Sequence, residues 1–568
     1  MDSTTTVGEL FGSKIQFRVP NYQRAYAWQV DAGVNIQVKQ FLCDIKEHNI
    51  SRRYYLGHFL FSKVEADSFK YEVIDGQQRL TTVVIFMSCV ISECRNRGLI
   101  DIKGIEVDEL AEIYLKHRIQ KFMTVAEDRI FFEDRIVLMN EGAQRRTNRS
   151  SEVRIDEAAK YFSQELKKAS NSELEDWCQI IHKAHITTFV VEGSSSKEVA
   201  TQIFAFQNDR GKKLTNLEIV KAFLMNQVYQ YSDDADGYIP SIESAFASIY
   251  SESELIKTSE DTILNWHCQA FLPASADTAV EVIKGVVSSS TEKDRWAINF
   301  SAQLAKTFHF IKNVEKFEER YSGYIADLCY LDKADSMPLL IKLHHIGVLE
   351  DQKKSDSVLR MIEAILFKMT FTTGGYRTNE LIKFARELSK ENFDSEFMPR
   401  LANATQHGFK SYWDFNGNCL QFFKERKWHY SPNIKYVLYK YENWLRDNAK
   451  PRLPHLSIDE CRAIFREKKL ENTLDHITPQ EPDFTTYSED FINDWLSNIG
   501  NLSLLTWSGN SSKSNHNPVN PIEREKYNQV FLTQKEIYAA LCKGAWGAKE
   551  ISDRRDRIVE FVKAQWGV

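Results

Sequence analysis

The sequence Asn-Thr-Leu-Asp-His-Ile-Thr-Pro-Gln at residues 472–480 is the stretch around which the rest of the chain is organised. It is followed by Gly-Asn-Leu at 500–502 and by Asn-Ser-Ser-Lys at 510–513. The runs 474–480 and 502–506 predict the two strands of a hairpin, with a helix soon after residue 510. This part of the chain therefore predicts a small sheet that carries a carboxylate, an imidazole and several amides.

The order and spacing of these residues resemble an HNH (ββα-metal) nuclease centre. Hydrolysis of a phosphodiester needs a base to activate water and a hard cation to neutralise the leaving oxygen. Histidine suits the base because its ordinary pKa lies near neutrality, and Mg²⁺ or Mn²⁺ prefers oxygen ligands. The resemblance assigns the metal to Asp475 and Asn510 and the base to His476. Asn501 would brace the backbone of His476, and Lys513 would contact a phosphate.

Each of these elements alone has a simpler explanation. An Asp-His pair before a proline is commonly a capped turn, and Gly-Asn-Leu is a common turn as well. The nuclease interpretation depends on the ordered set of three. No Cys-x-x-Cys accompanies it, so the nine scattered cysteines predict reduced structural thiols without disulfides or a zinc site.

Length and composition favour a multidomain helical protein. The 568 residues are enough for three or four domains, and 43% hydrophobic with 27% charged residues is ordinary for globular proteins. Only 23 glycines and 12 prolines are present, which favours helices. The longest apolar run, 83–91, is too short to span a bilayer, and a signal-peptide pattern is absent from the sequence. A cytoplasmic location without membrane contact is expected.

The net charge of −6 argues mildly against a dedicated non-specific DNA binder, so local basic clusters matter more. One cluster precedes the hairpin and alternates basic with aromatic residues, which suits a nucleic-acid backbone. The alternative is a solvated helix face with a few core aromatics. Its members are Lys424, Arg426, Lys427, Trp428, His429, Tyr430, Lys435 and Lys440.

The stretch Phe-Arg-Val-Pro-Asn-Tyr-Gln-Arg-Ala-Tyr-Ala-Trp at 17–28 concentrates aromatic rings with an amide and a guanidinium. Pro20 forces an extended entry. Aromatic walls with one arginine and one glutamine suit a nucleotide base or a modified nucleic-acid group. The alternative is that buried aromatics seal this segment against its domain. The predicted pocket residues are Tyr22, Gln23, Arg24, Tyr26 and Trp28.

Asp-Gly-Gln-Gln-Arg at 75–79 is predicted to be a turn between a strand and a helix. The runs 54–64 and 69–74 predict a β-hairpin that leads into this turn. A helix N-terminus offers free N–H groups and a positive dipole end, which suits an anion. Gly76 permits the bend, Arg79 supplies a phosphate partner, and Asp75 can hold a metal ion.

The stretch Phe-Gln-Asn-Asp-Arg-Gly-Lys-Lys-Leu-Thr at 206–215 precedes another predicted helix, capped by Thr215 with Glu218. Asn208 and Arg210 lie on its glycine-containing loop and form a second predicted phosphate-contacting edge. The alternative is a charged loop before a capped helix.

The fold class predicted for the whole chain is α+β and mainly helical. The best boundary is the Asp-, Gly- and Pro-rich segment 233–240. The predicted domains are an α/β domain at 1–235, a helical linking region at 236–420 and the nuclease-like domain at 421–568.

Several of these motifs together resemble the GmrSD family. Val-Pro-x-Tyr-Gln-Arg-x-Tyr-x-Trp, Asp-Gly-Gln-Gln-Arg-Leu-Thr-Thr and Asn-x-x-Gly-x-x-Leu-Thr resemble its ParB-like domain. Asp-His-Ile-x-Pro-Gln with Gly-Asn-Leu and Asn-x-x-Lys resembles its HNH domain. By this resemblance the nucleotide would be served by Asp75, Gly76, Gln77, Gln78 and Arg79, with Asn208 and Arg210.

The resemblance implies a modification-dependent (type IV) restriction endonuclease that acts against phage DNA. The ParB-like part would bind and hydrolyse a nucleoside triphosphate and sense modified DNA, and the HNH part would cut. GTP, UTP and ATP stay open, as do nicking by a monomer and double-strand cutting by a homodimer. Two alternatives stay open as well: a toxin-like DNase without selectivity, and a non-catalytic sensor of modified DNA or nucleotide.

Overall fold

The computed structural model describes residues 2–31, 36–64, 69–144, 149–192, 215–275, 277–316, 324–372, 379–409, 414–425, 429, 431, 433–456, 472–506, 515–528 and 531–568. The chain divides into two compact units. The first unit comprises Met1–Cys268 and Leu272–Lys312, and the second comprises Gln269–Phe271 and Asn313–Val568. The domain boundaries predicted at 235 and 420 stay predictions.

A mixed six-stranded sheet organises the first unit. The strands described there are β1 (Asp2–Thr6), β2 (Gln16–Arg18), β3 (Tyr55–Lys63), β4 (Lys70–Asp75), β5 (Asp101–Ile102), β6 (Ile105–Glu106), β7 (Phe122–Met123) and β8 (His185–Val191). The sheet order is β1-β8-β3-β4-β2-β7, and β5 pairs separately with β6. The antiparallel pairing of β3 with β4 confirms the predicted hairpin.

Helix α3 is the centre of the first core. All its residues from 80 to 91 are buried, because they are almost all apolar and the helix is covered on every side. The predicted cap of α7 is confirmed, with Thr215 Oγ1 accepting from the Glu218 N–H. The longer helices up to residue 315 are α1 (Val7–Gly12), α2 (Gln37–Glu47), α3 (Gln77–Arg97), α4 (Val107–Tyr114), α5 (Ser150–Lys168), α6 (Asn171–His182), α7 (Asn216–Tyr231), α8 (Ala235–Ser253), α9 (Glu260–Phe271), α10 (Ala279–Ser289) and α11 (Lys293–Glu315).

The second unit is helical around one small sheet of β9 (Asn472–His476) and β10 (Leu502–Thr506). Leu474, Leu502 and Leu504 of these strands share an apolar core with Val437 and Tyr441. The helix Ile434–Asn448, to which Val437 and Tyr441 belong, therefore packs against these two strands. The longer helices here are α12 (Tyr324–His345), α13 (Gln352–Thr370), α14 (Glu380–Glu387), α15 (Met398–His407), α16 (Phe415–Glu425), α17 (Ile434–Asn448), α18 (Leu532–Leu541) and α19 (Ala548–Trp566).

The mainly helical fold predicted from composition is confirmed. The cysteines that the structure describes are free thiols, most of them buried; Cys461 lies outside the described residues. In the described part of the chain, the helices are all too short or too polar to cross a membrane.

Candidate functional site

The predicted strand-to-helix turn is confirmed, because β4 ends at Asp75 and α3 begins at Gln77. Gly76 lies between them in the left-handed region, with φ of +89°. A β-carbon at this position would lie 2.2 Å from the Phe59 ring. Backbone conformation and space therefore both require glycine at the turn.

Arg79 reaches back onto strand β3. Its guanidinium donates to the carbonyls of Leu56 at 3.1 Å and His58 at 2.9 Å, and it lies over the Phe59 ring. It occupies space that Gly57 leaves open, where a β-carbon would lie 2.0 Å from Arg79 Nη1. Burial lowers the pKa of Arg79, and the two carbonyls stabilise its charge. Arg79 thus holds the strand as well as facing the turn.

A partly exposed cluster of charged groups lies beside this turn. Asp75 Oδ2 is 3.6 Å from His58 Nε2 and 3.8 Å from Arg79 Nη2. The three groups together can contact a phosphate, and the carboxylate can contact a cation. His58 was not among the predicted residues. The predicted hairpin could have identified His58, because antiparallel pairing brings the middle of β3 beside the end of β4, where Asp75 lies.

Gln77 and Gln78 differ in their surroundings. Gln78 Oε1 accepts from the Ala27 N–H at 2.8 Å, and its Nε2 donates to the Ala25 carbonyl at 3.1 Å. Gln78 therefore clamps the 17–28 loop to α3. Gln77 is 8% exposed, and its buried Oε1 has no hydrogen-bond partner among the described residues.

The predicted pocket loop lies mostly in the core. Gln23 Nε2 donates to the Ile74 carbonyl at 3.0 Å, and the Tyr26 hydroxyl bonds to Thr82 Oγ1 at 2.9 Å. These contacts fit the alternative interpretation, in which buried side chains seal this segment against its domain. A ligand-binding role for the loop stays a prediction. Of the five predicted residues, three are buried (Tyr22, Gln23 and Tyr26) and two are half-buried (Arg24 and Trp28).

A buried lysine, which was not predicted, lies against the same loop. Lys221 of α7 is 3% exposed, and its Nζ donates to the Tyr22 carbonyl at 3.2 Å. The ammonium lies 5.3 Å from the Tyr22 ring and 5.7 Å from the Tyr250 ring. Burial lowers the pKa of Lys221 to about 8, although Glu218 and Glu243 act in the opposite direction. Lys221 therefore ties the loop to α7.

The hairpin of the second unit brings Asp475 opposite Ser503 and His476 opposite Leu502. Asp475 and His476 are each only 6% exposed. Because successive residues of a strand alternate between faces, they lie on opposite faces of the sheet. Asp475 Oδ2 accepts from the Tyr527 hydroxyl at 2.7 Å, and His476 Nε2 lies 3.3 Å from Ser497 Oγ.

Asn501 braces the backbone that follows His476. Its Oδ1 accepts from the Thr478 N–H at 3.0 Å and from Trp546 Nε1 at 3.1 Å, while its own carbonyl accepts from the Ile477 N–H at 2.8 Å. The first strand was predicted to run to residue 480, which is wrong. Strand β9 ends at His476 because these next two N–H groups bond to Asn501 rather than to the ladder.

The turn before β10 is clamped by α19. A β-carbon on Gly500 would lie 2.0 Å from the Ile551 carbonyl oxygen, so glycine permits this close approach. Arg554 is 1% exposed, and its Nη1 donates to the carbonyls of Ile499, Gly500 and Leu502. The Gly-Asn-Leu motif is therefore a packed turn that positions Asn501.

Four predicted site residues lie outside the described residues: Asn208, Arg210, Asn510 and Lys513. In the described part of the chain, groups of three or more His, Cys, Asp or Glu that could hold a metal are absent. A closed multi-carboxylate site is therefore excluded there. One Asp carboxylate with an amide oxygen still fits a Mg²⁺-class ion, which keeps several waters and takes one or two carboxylates.

The prediction that the basic cluster ahead of the hairpin forms a nucleic-acid surface is wrong for His429 and Lys440, which are both in the core. His429 is 1% exposed, accepts from the Ile499 N–H at Nδ1 and bonds to the Phe422 carbonyl through Nε2. Lys440 lies in the core, 2.9 Å from Asp327 and 3.1 Å from Glu363. Both side chains find partners inside the fold; a buried Lys440 agrees neither with a nucleic-acid surface nor with the solvated helix face of the alternative.

Comparison with known proteins gives a consistent result for the two ends of the chain. No curated protein matches it. The family model described as "GmrSD restriction endonuclease, N-terminal domain" matches residues 7–225, which include the Asp75–Arg79 turn. The model described as "GmrSD restriction endonucleases, C-terminal domain" matches residues 409–561, which include β9 and β10. Two models of one family, in the order expected for it, together match about two thirds of the sequence, and the chain belongs to the GmrSD restriction endonuclease family.

Proposed function

We propose that this restriction endonuclease hydrolyses DNA phosphodiester bonds at an HNH centre built on β9 and β10. The observation that best supports the proposal is the Asn501 brace. One buried amide and its own carbonyl hold the two peptide N–H groups directly after His476. A general base needs a fixed backbone, since misplacement by about 1 Å can cost on the order of 100-fold in rate.

His476 takes a proton from the attacking water in this proposal. The water oxygen forms a bond to phosphorus while the bond from phosphorus to the leaving sugar oxygen breaks. Asp475 and Asn510 would hold Mg²⁺ or Mn²⁺, which supplies positive charge at the leaving oxygen when bound. Lys513 contacts a phosphate of the same strand. Because Asp475 and His476 are each 6% exposed and lie on opposite faces of the strand pair, the proposal requires their surroundings to rearrange before both act on one phosphodiester.

The N-terminal part is proposed to bind and hydrolyse a nucleoside triphosphate at the Asp75–Arg79 turn and so to regulate cutting. The partly exposed Asp75, His58 and Arg79 and the unpaired Gln77 Oε1 at the start of α3 support a polar ligand there. We also propose that the same part recognises modified phage DNA, which the family resemblance and the aromatic composition of the 17–28 loop support.

The test is cleavage of unmodified, base-glucosylated and phosphorothioated plasmid with Mg²⁺ or Mn²⁺, with and without GTP, UTP or ATP. We expect cutting of one modified substrate and its loss in His476→Ala. His455→Ala is the matched control, because this exposed histidine of the same unit pairs with Asp447, which is not a predicted site residue. The ratio of nicked to linear plasmid in the product distinguishes single-strand from double-strand cutting.

Other outcomes would change the proposal. Equal cutting of all plasmids would indicate a toxin-like DNase without selectivity. Binding of modified DNA or nucleotide without cutting under any metal would indicate a sensor. Cutting by His476→Ala at the wild-type rate would refute the HNH assignment.

A further inference from the structure

A buried hydrogen bond joins Asp475 to a tyrosine that the sequence motifs do not include. Tyr527 lies 52 residues further along the chain, and its hydroxyl donates to Asp475 Oδ2 at 2.7 Å. The tyrosine is 0% exposed and the aspartate 6%. The bond is therefore shielded from water. A hydrogen bond to a carboxylate in such a buried environment is short and strong.

The Tyr527 ring is held independently of that bond. It packs in an apolar cluster with Ile477, Leu505, Ile537 and Leu541. Leu505 lies two residues after Ser503, the partner of Asp475 in the strand pair, and thus on the same face as Asp475. Packing therefore sets the position of the hydroxyl, and the hydroxyl sets the rotamer of the carboxylate.

We propose that Tyr527 is a positioning residue for the cation at the nuclease centre. Its hydroxyl donates to Asp475 Oδ2 and so holds the carboxylate in one orientation. Partners in this relation to a metal ligand fix its direction, and their loss typically weakens metal affinity about 10- to 100-fold. The inference rests on the proposed function, since it takes Asp475 as a metal ligand.

The experiment compares full-length Tyr527→Phe with Tyr441→Phe. Phenylalanine keeps the ring in the apolar cluster and removes only the hydroxyl. Tyr441 is the matched control because it is also buried in the second unit and donates to a carboxylate, Glu536, at 3.2 Å. Mn²⁺ binding is measured without DNA by electron paramagnetic resonance, and the half-saturating Mg²⁺ concentration is measured in the cleavage assay.

We expect Tyr527→Phe to weaken Mn²⁺ binding and to raise the half-saturating Mg²⁺ concentration, each about tenfold. The cleavage rate at saturating Mg²⁺ should stay within a few-fold of wild type, and Tyr441→Phe should change neither metal value. Equal metal affinities of the two variants would overturn the positioning role while leaving the nuclease proposal intact.

A double-mutant cycle separates positioning from general loss of stability. In an Asp475→Asn background, Tyr527→Phe should have no further effect on residual Mn²⁺ binding, because the carboxylate it orients is gone. Full additivity of the two changes would overturn the inference. Wild-type protein that binds no Mn²⁺, or unchanged binding in Asp475→Asn alone, would refute the proposed metal centre itself and the role of Tyr527 with it.

Discussion

Replacement of Gly500 by alanine tests how the Asn501 brace is held. The added β-carbon would lie 2.0 Å from the carbonyl oxygen of Ile551, 2.9 Å from its carbonyl carbon and 3.1 Å from the Arg555 nitrogen. All three are backbone atoms of α19, so a side-chain rotation cannot relieve the contact. The helix and the turn must separate by roughly 1 Å or more to reach normal van der Waals distance.

The expected destabilisation has two parts. Overpacking of a well-packed site costs about 1–3 kcal/mol. Separation of α19 from the turn also stretches the bonds of Arg554 Nη1 to three carbonyls, at 2.8–3.2 Å, and loss of one such charged bond costs about 1.5–3 kcal/mol. Gly500→Ala should therefore lower the free energy of opening of this part of the second unit by about 2.5–6 kcal/mol.

Native-state hydrogen exchange of the β10 amides measures this local free energy without assuming that the two units unfold together. Gly285→Ala is the control, because a β-carbon there meets nothing within 4 Å; it should leave β10 exchange unchanged. Plasmid cleavage should fall with Gly500→Ala, since the brace moves with the turn. An opening free energy within about 0.5 kcal/mol of wild type would refute the described contact between Gly500 and α19.

Three further changes test other parts of the structure. Burial lowers the pKa of Lys221 from 10.5 to about 8, so the folded protein binds this proton more weakly than the unfolded chain, and the contribution of Lys221 to stability should rise with pH between 8 and 10.5. In urea unfolding, the difference in unfolding free energy between wild type and Lys221→Met should therefore grow by about 3 kcal/mol across that window. A difference that does not change with pH would contradict the burial of Lys221. Lys440→Met should lower the free energy of unfolding by about 3–5 kcal/mol, because it leaves two buried carboxylates without their cation, and an unchanged denaturation midpoint would contradict this. His58→Ala should weaken triphosphate binding about tenfold in isothermal titration through loss of one contact to a charged phosphate. His48→Ala is the control and should not weaken it, because half-buried His48 bonds to the Arg52 carbonyl instead; equal affinities of the two variants would remove His58 from the site.

Local sequence signals predicted the local structure well. The β3–β4 hairpin, the turn at Asp75–Arg79 and the Thr215 cap all follow from residues within a few positions of each other. The sheet order β1-β8-β3-β4-β2-β7 does not, because β1 pairs with a strand about 180 residues later. Such pairing depends on the packing of the whole unit. The alternation of apolar and polar residues along a strand predicts the strand but not its partner.

Charge was the least reliable guide to the surface. Lys440 was grouped with basic residues suited to nucleic acid, yet its partner Asp327 lies 113 positions earlier and takes it into the core. Tyr527 was missed for the same reason, since its carboxylate partner is 52 positions away. The sequence gives the identity of a charged or polar group, whereas the fold decides whether that group meets solvent or a distant partner.

The structure changes which variants can report on function. The Arg79 side chain donates to two strand carbonyls, and the Asn501 side chain accepts from the Thr478 N–H and from Trp546 Nε1. Replacing either by alanine therefore removes structural bonds along with any contact to a ligand. Loss of activity in such variants cannot separate chemistry from folding. Tyr527→Phe keeps the packed ring, and the contact described for the His58 side chain is with the Asp75 carboxylate. If Tyr527→Phe changes metal affinity and His58→Ala changes triphosphate affinity while hydrogen exchange stays at wild type, the two ends of the chain carry two separate chemistries; if both lose only stability, the motifs serve the fold.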